Sequence, residues 1–221
     1  MVLREMRGKC YWRLPLVYKR KSLMFHYNHN SHYTALLLRQ VPTGCRNALD
    51  VGCGEGTFAR HLSGKCSVTG IDRNHAMIEQ ARVATPDQSI RFIEADFLRY
   101  PFDEQFDYIS AIASLHHMPF KQALEKMAAL LRPGGMLAVL GLFRAASLSD
   151  AAIALVATPV NAFYALTRGQ SESGVPIMSP AMSLREIRRS VTSILPAARV
   201  RRLLLWRYLL TWQKPRIPPV M

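Results

Sequence analysis

The feature that most constrains this chain is the run Ala48-Leu49-Asp50-Val51-Gly52-Cys53-Gly54-Glu55-Gly56, where a short apolar stretch meets three glycines at alternate positions. The apolar stretch, Arg46 to Val51, reads as a strand, and a helical pattern follows from about Gly56 to Leu62. A glycine loop in that setting lets backbone amides approach a ligand at the carboxyl edge of a sheet. The segments after it keep the same rhythm. Strands are expected at Ser67 to Asp72, Ile90 to Glu94, Phe106 to Ala113 and Met136 to Leu142. Between them fall helices at Asn74 to about Ala84 and at Phe120, Ala123, Leu124, Met127 and Leu131, the latter stopped by Pro133-Gly134-Gly135. Strands alternating with longer helices imply a parallel sheet with crossover helices.

The flanks read differently. Ser31 is placed to cap a helix over His32 to Gln40, and residues 148–167 form an apolar helical insertion followed by a loop at 168–181. Ser183-Leu184-Arg185-Glu186 is a capping box that opens a helix to about Ile194. Arg199 to Leu205 and Tyr208 to Gln213 then make a hairpin turning at Trp206-Arg207. The expected whole is an α/β, doubly wound, seven-stranded and mostly parallel sheet with one antiparallel strand in the edge region. We read residues 1–221 as a single domain: a basic helical lid at 1–45, a core at 46–142, an insertion at 143–182, and a terminal helix with hairpin at 183–221.

Charge is unevenly distributed. Residues 1–47 hold nine Lys and Arg against Glu5, and residues 143–221 hold eleven against Asp150, Glu172 and Glu186, so each flank carries +8. The centre, with nine basic and eleven acidic residues, carries −2. Basic flanks suit RNA, an anionic lipid surface, an acidic substrate or simply a solvated face. Cys10, Cys45, Cys53 and Cys66 form no C-x-x-C pair, and a reducing cytoplasm fits best. No secretory signal is visible, and Pro159 and Asn161 interrupt the longest uncharged stretch below spanning length.

Glycine loops also serve dinucleotide enzymes, so the residues around this one decide. The dinucleotide pattern G-x-G-x-x-G needs glycine at position 57, where Thr57 stands. Asp50 just before the loop would repel a pyrophosphate but can hold an ammonium or ordered water. Asp72 ends the second strand, placed to accept hydrogen bonds from both hydroxyls of a ribose. With these residues the chain resembles the class I S-adenosylmethionine-dependent methyltransferases, especially the group that includes quinone-biosynthesis enzymes. Asp50 to Gly56 resembles that family's first motif, and Gly70-Ile71-Asp72 with Met77 its second. Glu94-Ala95-Asp96-Phe97, Asp107-Tyr108-Ile109 into Ser114-Leu115-His116-His117-Met118, and Leu130-Leu131-Arg132-Pro133-Gly134-Gly135 resemble its later motifs.

The resemblance implies a Rossmann-like sheet of strand order 3-2-1-4-5-7-6 and S-adenosylmethionine as cofactor, with S-adenosylhomocysteine as product. It implies that Asp50, Gly52, Cys53 and Gly54 line the methionine moiety and that Asp72 takes the ribose. Arg73 and Met77 would flank the adenine, Asp96 would bond its amino group beside Phe97, and Ser114 would approach through its backbone. Transfer from a sulfonium needs alignment and exclusion of water, and a base only for a protonated acceptor. His116 and His117 are the candidate bases.

The cluster from His26 to Tyr33 precedes the first strand, where related enzymes fold a helix over the cofactor, so Tyr27, His29 and Tyr33 are candidate lid or substrate residues. His26, His29 and His32 recur every third residue, but no cysteine or carboxylate completes a set, and no metal is expected. The expected acceptor is a small, apolar or aromatic molecule. RNA or protein as acceptor, peripheral membrane contact through the apolar insertion, and a non-catalytic cofactor-binding module are the alternatives.

Overall fold

The computed structural model describes residues 33–85, 89–145, 180–204 and 206–216. Helix α1 (Thr34–Leu38) leads into β1 (Asn47–Val51), α2 (Thr57–Ser63), β2 (Ser67–Asp72), α3 (His75–Val83), β3 (Ile90–Glu94) and β4 (Phe106–Ile112). A single 3-10 turn, Leu115–His117, separates β4 from α4 (Phe120–Leu130), which passes directly into β5 (Leu131–Leu142). Helix α5 (Leu184–Ile194) and strands β6 (Arg199–Arg202) and β7 (Arg207–Gln213) complete the described elements.

The strands join in the order β3-β2-β1-β4-β5-β7-β6. Pairs β1–β2, β1–β4, β2–β3 and β4–β5 are parallel, while β5–β7 and β6–β7 are antiparallel. The reversed strand β7 therefore lies second from the edge, with β6 outside it. This is the doubly wound architecture and the order expected above.

The order follows from which strands can be buried on both faces. Leu49, Val51, Ile71, Ile109, Ala111, Leu137 and Val139 point to one face, packed with Leu124 and Met127 of α4 and Ile187 and Val191 of α5. Ala48, Val68, Tyr108, Ala138 and Leu140 point to the other, against Leu37 of α1 and Phe58, Ala59 and Leu62 of α2. Strands apolar on both sides must occupy the middle of a covered sheet. Each fully buried Leu or Ile contributes roughly 1.5–3 kcal/mol by leaving water.

Three boundaries differ from expectation. Helix α1 is shorter than His32 to Gln40 and starts after Tyr33, which has no side-chain cap bond. Ser31 lies outside the described residues. Strand β5 begins at Leu131, five residues before Met136, because Leu131 pairs with Phe106 and a register shift before Tyr108 absorbs Pro133-Gly134-Gly135. Gly134 takes φ 83° and its N–H donates to Lys214 O at 2.8 Å, so the helix stop becomes a bulged strand start. In the final hairpin β6 ends at Arg202 and β7 begins at Arg207, after Trp206, whose φ is 55°. The backbone bonds Leu203 N to Arg207 O and Arg207 N to Leu204 O close it, where a turn at Trp206-Arg207 was expected. The capping box at Ser183 is present in both directions: Glu186 N donates to the Ser183 hydroxyl, and Ser183 N donates to the Glu186 carboxylate. The apolar insertion expected at 148–167 lies outside the described residues.

Candidate functional site

Parallel strands bring their carboxyl ends to one edge, and the connections there hold nearly every candidate residue. Between β1 and α2, Gly52, Gly54 and Gly56 all adopt left-handed φ, at 69°, 53° and 74°. That conformation disfavours any residue with a Cβ. At Gly52 space forbids one as well, since a Cβ would stand 2.3 Å from the Cβ of Ser114. At Gly54 a Cβ would meet nothing within 4 Å, so the loop leaves an open cradle there.

Asp50 lies beneath this cradle, only 2% exposed. Its register partners are Gly70 on β2 and Ser110 on β4, and the Ser110 hydroxyl donates to Asp50 Oδ1 at 2.9 Å. Burial pushes the carboxyl up to about 7; the Ser110 bond opposes this and the charge of Asp72 adds to it. Cys53 is also buried. Burial raises its thiol, helped by Asp50 and Asp72, so it is no nucleophile.

Asp72, at the tip of β2, ties the loop to its neighbours. Its Oδ2 accepts from Gly54 N and its Oδ1 from Asn74 N, both at 2.9 Å. Asn74 in turn caps α3 by accepting from Met77 N at 3.4 Å. Arg73 is exposed and Met77 half-buried at the start of that helix. At the tip of β3, His75 Nδ1 and Glu94 Oε2 stand 2.7 Å apart. The hydrogen bond to Glu94, and then its charge, raise the imidazole. Asp96 is exposed and its Oδ1 accepts from Leu98 N at 2.8 Å. The Phe97 ring is packed in the core, 4% exposed and 6.0 Å from the Phe102 ring.

Beyond β4, the Ser114 hydroxyl donates to Val51 O at 2.7 Å and ties the strand exit to β1. His116 and His117 follow on the 3-10 turn, their ring centroids 4.0 Å apart. Burial lowers His116 to about 4, with His117 adding. His117 is lowered by burial and by Arg73, while Asp72 opposes. His117 thus lies within electrostatic reach of the β2 tip. His116 Nδ1 is buried without a hydrogen-bond partner.

Tyr33 is placed apart from these residues. It is 7% exposed, and its hydroxyl donates to Leu204 O at 3.3 Å, at the hairpin turn. Tyr27 and His29 lie outside the described residues. Among the described residues no group of three His, Cys, Asp or Glu side chains is placed to hold a metal, and no helix is long and apolar enough to cross a membrane.

Sequence reasoning missed Ser110, Asn74 and Glu94 as site partners. A serine in the mostly apolar strand Phe106–Ile112 and an asparagine two residues after Asp72 were the available signals.

Together these features test what the edge can hold. Asp50, Asp72 and Asp96, in or just past the carboxyl ends of adjoining strands, oppose a diphosphate and suit a ligand rich in hydroxyls and positive charge. A nucleoside carrying a sulfonium and an ammonium meets that description, and the open Gly54 cradle admits it.

Comparison with known proteins agrees. A methyltransferase-domain family model matches residues 48–135. An uncharacterized methyltransferase of Mycobacterium bovis is 35% identical over 193 residues, covering 86% of this chain and 98% of that protein. A trans-aconitate 2-methyltransferase of an Enterobacter species is 40% identical over 108 residues, 47% of this chain and 42% of the relative. Among solved structures, the N-methyltransferase NodS of Bradyrhizobium japonicum, in complex with S-adenosylhomocysteine, superposes with TM-score 0.59 at 19% identity, covering 84% of this chain and 87% of NodS. The cofactor is S-adenosylmethionine, and the chain belongs to the class I S-adenosylmethionine-dependent methyltransferases.

Proposed function

We propose that the enzyme methylates a small molecule that combines an apolar body with an anionic group. The observation carrying this reading is a recess of about 520 Å³ lined by Leu142, Phe143, Arg144, Ala145, Pro180, Trp206 and Arg207. It adjoins the carboxyl end of β5, on the far side of the β4 exit from the glycine cradle. Apolar and aromatic walls with two guanidinium groups suit a planar or aliphatic acid. The partial likeness to a trans-aconitate 2-methyltransferase supports an acidic acceptor.

In this reading, Asp50, Gly52, Cys53 and Gly54 shape the cradle for the methionine moiety, with the Asp50 carboxylate facing its positive charge. Asp72 takes the ribose hydroxyls with lone pairs left after it binds Gly54 N and Asn74 N. Arg73 and Met77 flank the adenine, and Asp96 accepts from its amino group while Phe97 supports that turn from the core. Ser114 fixes the strand exit beside the methyl position.

S-adenosylmethionine supplies a methyl group already activated by its sulfonium, so the protein's task is alignment and exclusion of water. Both histidines are uncharged at neutral pH, since burial lowers each. His117, less perturbed and nearer Asp72, is the better proton acceptor for a protonated substrate. His116, at about 4, holds the turn as a neutral ring. A carboxylate acceptor needs no base at all.

A methyl-transfer screen with labelled donor across small carboxylic acids, phenols, quinones and RNA tests the proposal. Turnover of an acid that falls at least about tenfold in Arg144→Gln, through KM and with kcat kept, is the expected result. Turnover of RNA alone refutes it. Asp72→Ala, which removes the ribose acceptor, is the inactive control.

A further inference from the structure

Lys126 of α4 is a cation whose place the site above does not explain. Its ammonium makes no ion pair among the described residues. It donates instead to two backbone carbonyls of the connection after β3, Leu98 O at 3.0 Å and Tyr100 O at 2.7 Å. It also stands 5.4 Å from the Phe97 ring centroid and 5.6 Å from that of Phe102. Burial lowers its pKa, and only the charge of Asp96 opposes.

The turn it grips is tight. Asp96 O accepts from Arg99 N at 3.1 Å and Tyr100 N at 2.9 Å, while Asp96 Oδ1 accepts from Leu98 N at 2.8 Å. The carbonyls of Leu98 and Tyr100, two residues apart, therefore end on one ammonium. A flexible four-carbon chain gives up rotamer freedom, and the charge some of its hydration, to be held there. A structural tie of this kind holds one backbone shape and no other.

We infer that Lys126 is a positioning residue for the cofactor, an ammonium clamp that holds the Asp96 turn in the shape that meets the adenine amino group. The inference rests on the assignment of Asp96 to adenine made above. The clamp acts across the fold, from α4 onto the connection after β3.

Titration calorimetry of the full chain tests it, using S-adenosylhomocysteine and S-inosylhomocysteine, in which a 6-oxo group replaces the 6-amino group. The wild type should prefer the adenine compound by about tenfold or more, the worth of one hydrogen bond to a charged acceptor. Lys126→Met should lose most of that preference, Lys126→Arg should keep it, and Lys126→Met should cost nothing further on an Asp96→Asn background. A wild type with no preference overturns the Asp96 assignment. A wild type with the preference and a Lys126→Met protein that retains it overturns the clamp alone. Equal loss of affinity for both compounds in Lys126→Met and in the milder Lys126→Gln also overturns it, since that marks general loosening.

Discussion

Replacing Asp50 with asparagine should stabilise this enzyme while weakening its hold on the cofactor. The buried carboxyl has an ordinary value of 3.8 in the open chain and about 7 in the fold. The fold therefore keeps a proton that the unfolded chain has released between those two values. Stability falls as pH rises through this window, because the unfolded state binds fewer protons within it, and is flat above it. The rise from 3.8 to about 7, at about 1.36 kcal/mol per tenfold change in proton affinity, makes the carboxylate cost about 4 kcal/mol at pH 8. The same arithmetic leaves about 2 kcal/mol at pH 5 and about half of 1 kcal/mol at pH 4. Asparagine keeps the shape and the Ser110 hydroxyl as donor to its oxygen, but its amide gives back about 1 kcal/mol for want of a good acceptor.

The net gain at pH 8 is about 3 kcal/mol, or a rise in Tm of about 10 °C for a domain of this size. Thermal unfolding of Asp50→Asn and wild type at pH 4, 5 and 8 measures it. Calorimetry should show at least a tenfold loss of S-adenosylhomocysteine affinity, as the product keeps the ammonium that the carboxylate faces. A variant no more stable than wild type at pH 8 would refute the claim that Asp50 stores a desolvation cost beneath the cradle.

Gly52→Ala should lose about 2–4 kcal/mol of stability, because its Cβ meets Ser114 at 2.3 Å and its φ is left-handed. Chemical unfolding reads this, and Ser114→Gly should recover part of it. His116 is lowered to about 4, so the fold holds it neutral while the unfolded chain takes up a proton; stability should fall as pH drops from about 6.5 to 4, and His116→Asn should flatten that slope in urea melts. Asp107→Ala should cost about 2–3 kcal/mol, since the carboxylate accepts from Arg46 N at 2.8 Å and Arg132 at 3.0 Å at the opposite edge of the sheet. Burial opposes its ionisation, yet those bonds keep the carboxyl below the usual range. The loss in Asp107→Ala should therefore shrink in urea titrations as pH falls through the carboxylate range, while calorimetry should find cofactor affinity nearly unchanged.

Much of this molecule was readable before any coordinates, and the parts that were share a cause. Strands such as Ser67–Asp72 and Ile90–Glu94 match the expected limits because an apolar run between turn residues is a local signal. The capping box at Ser183 is equally local. By contrast, β5 begins at Leu131 because β4 pairs with it there, across a bulge that tolerates proline and two glycines. No pattern within 131–135 announces a partner 25 residues upstream. The hairpin turn likewise depends on where Arg202 meets Tyr208.

The same division runs through the site. The sequence by itself determined the residue types at the strand tips: an acid before a glycine bend, an acid closing the next strand, and another after the third. Those suffice to choose a sulfonium nucleoside over a dinucleotide, because charge and chain reach are written locally. Only the tertiary structure decided that Asp50 is buried against Ser110, that Ser114 leaves Gly52 no room for a side chain, and that Lys126 reaches across to the Asp96 turn. Burial and cross-strand contact arise when distant segments meet, and it is burial that gives an ordinary carboxylate its cost.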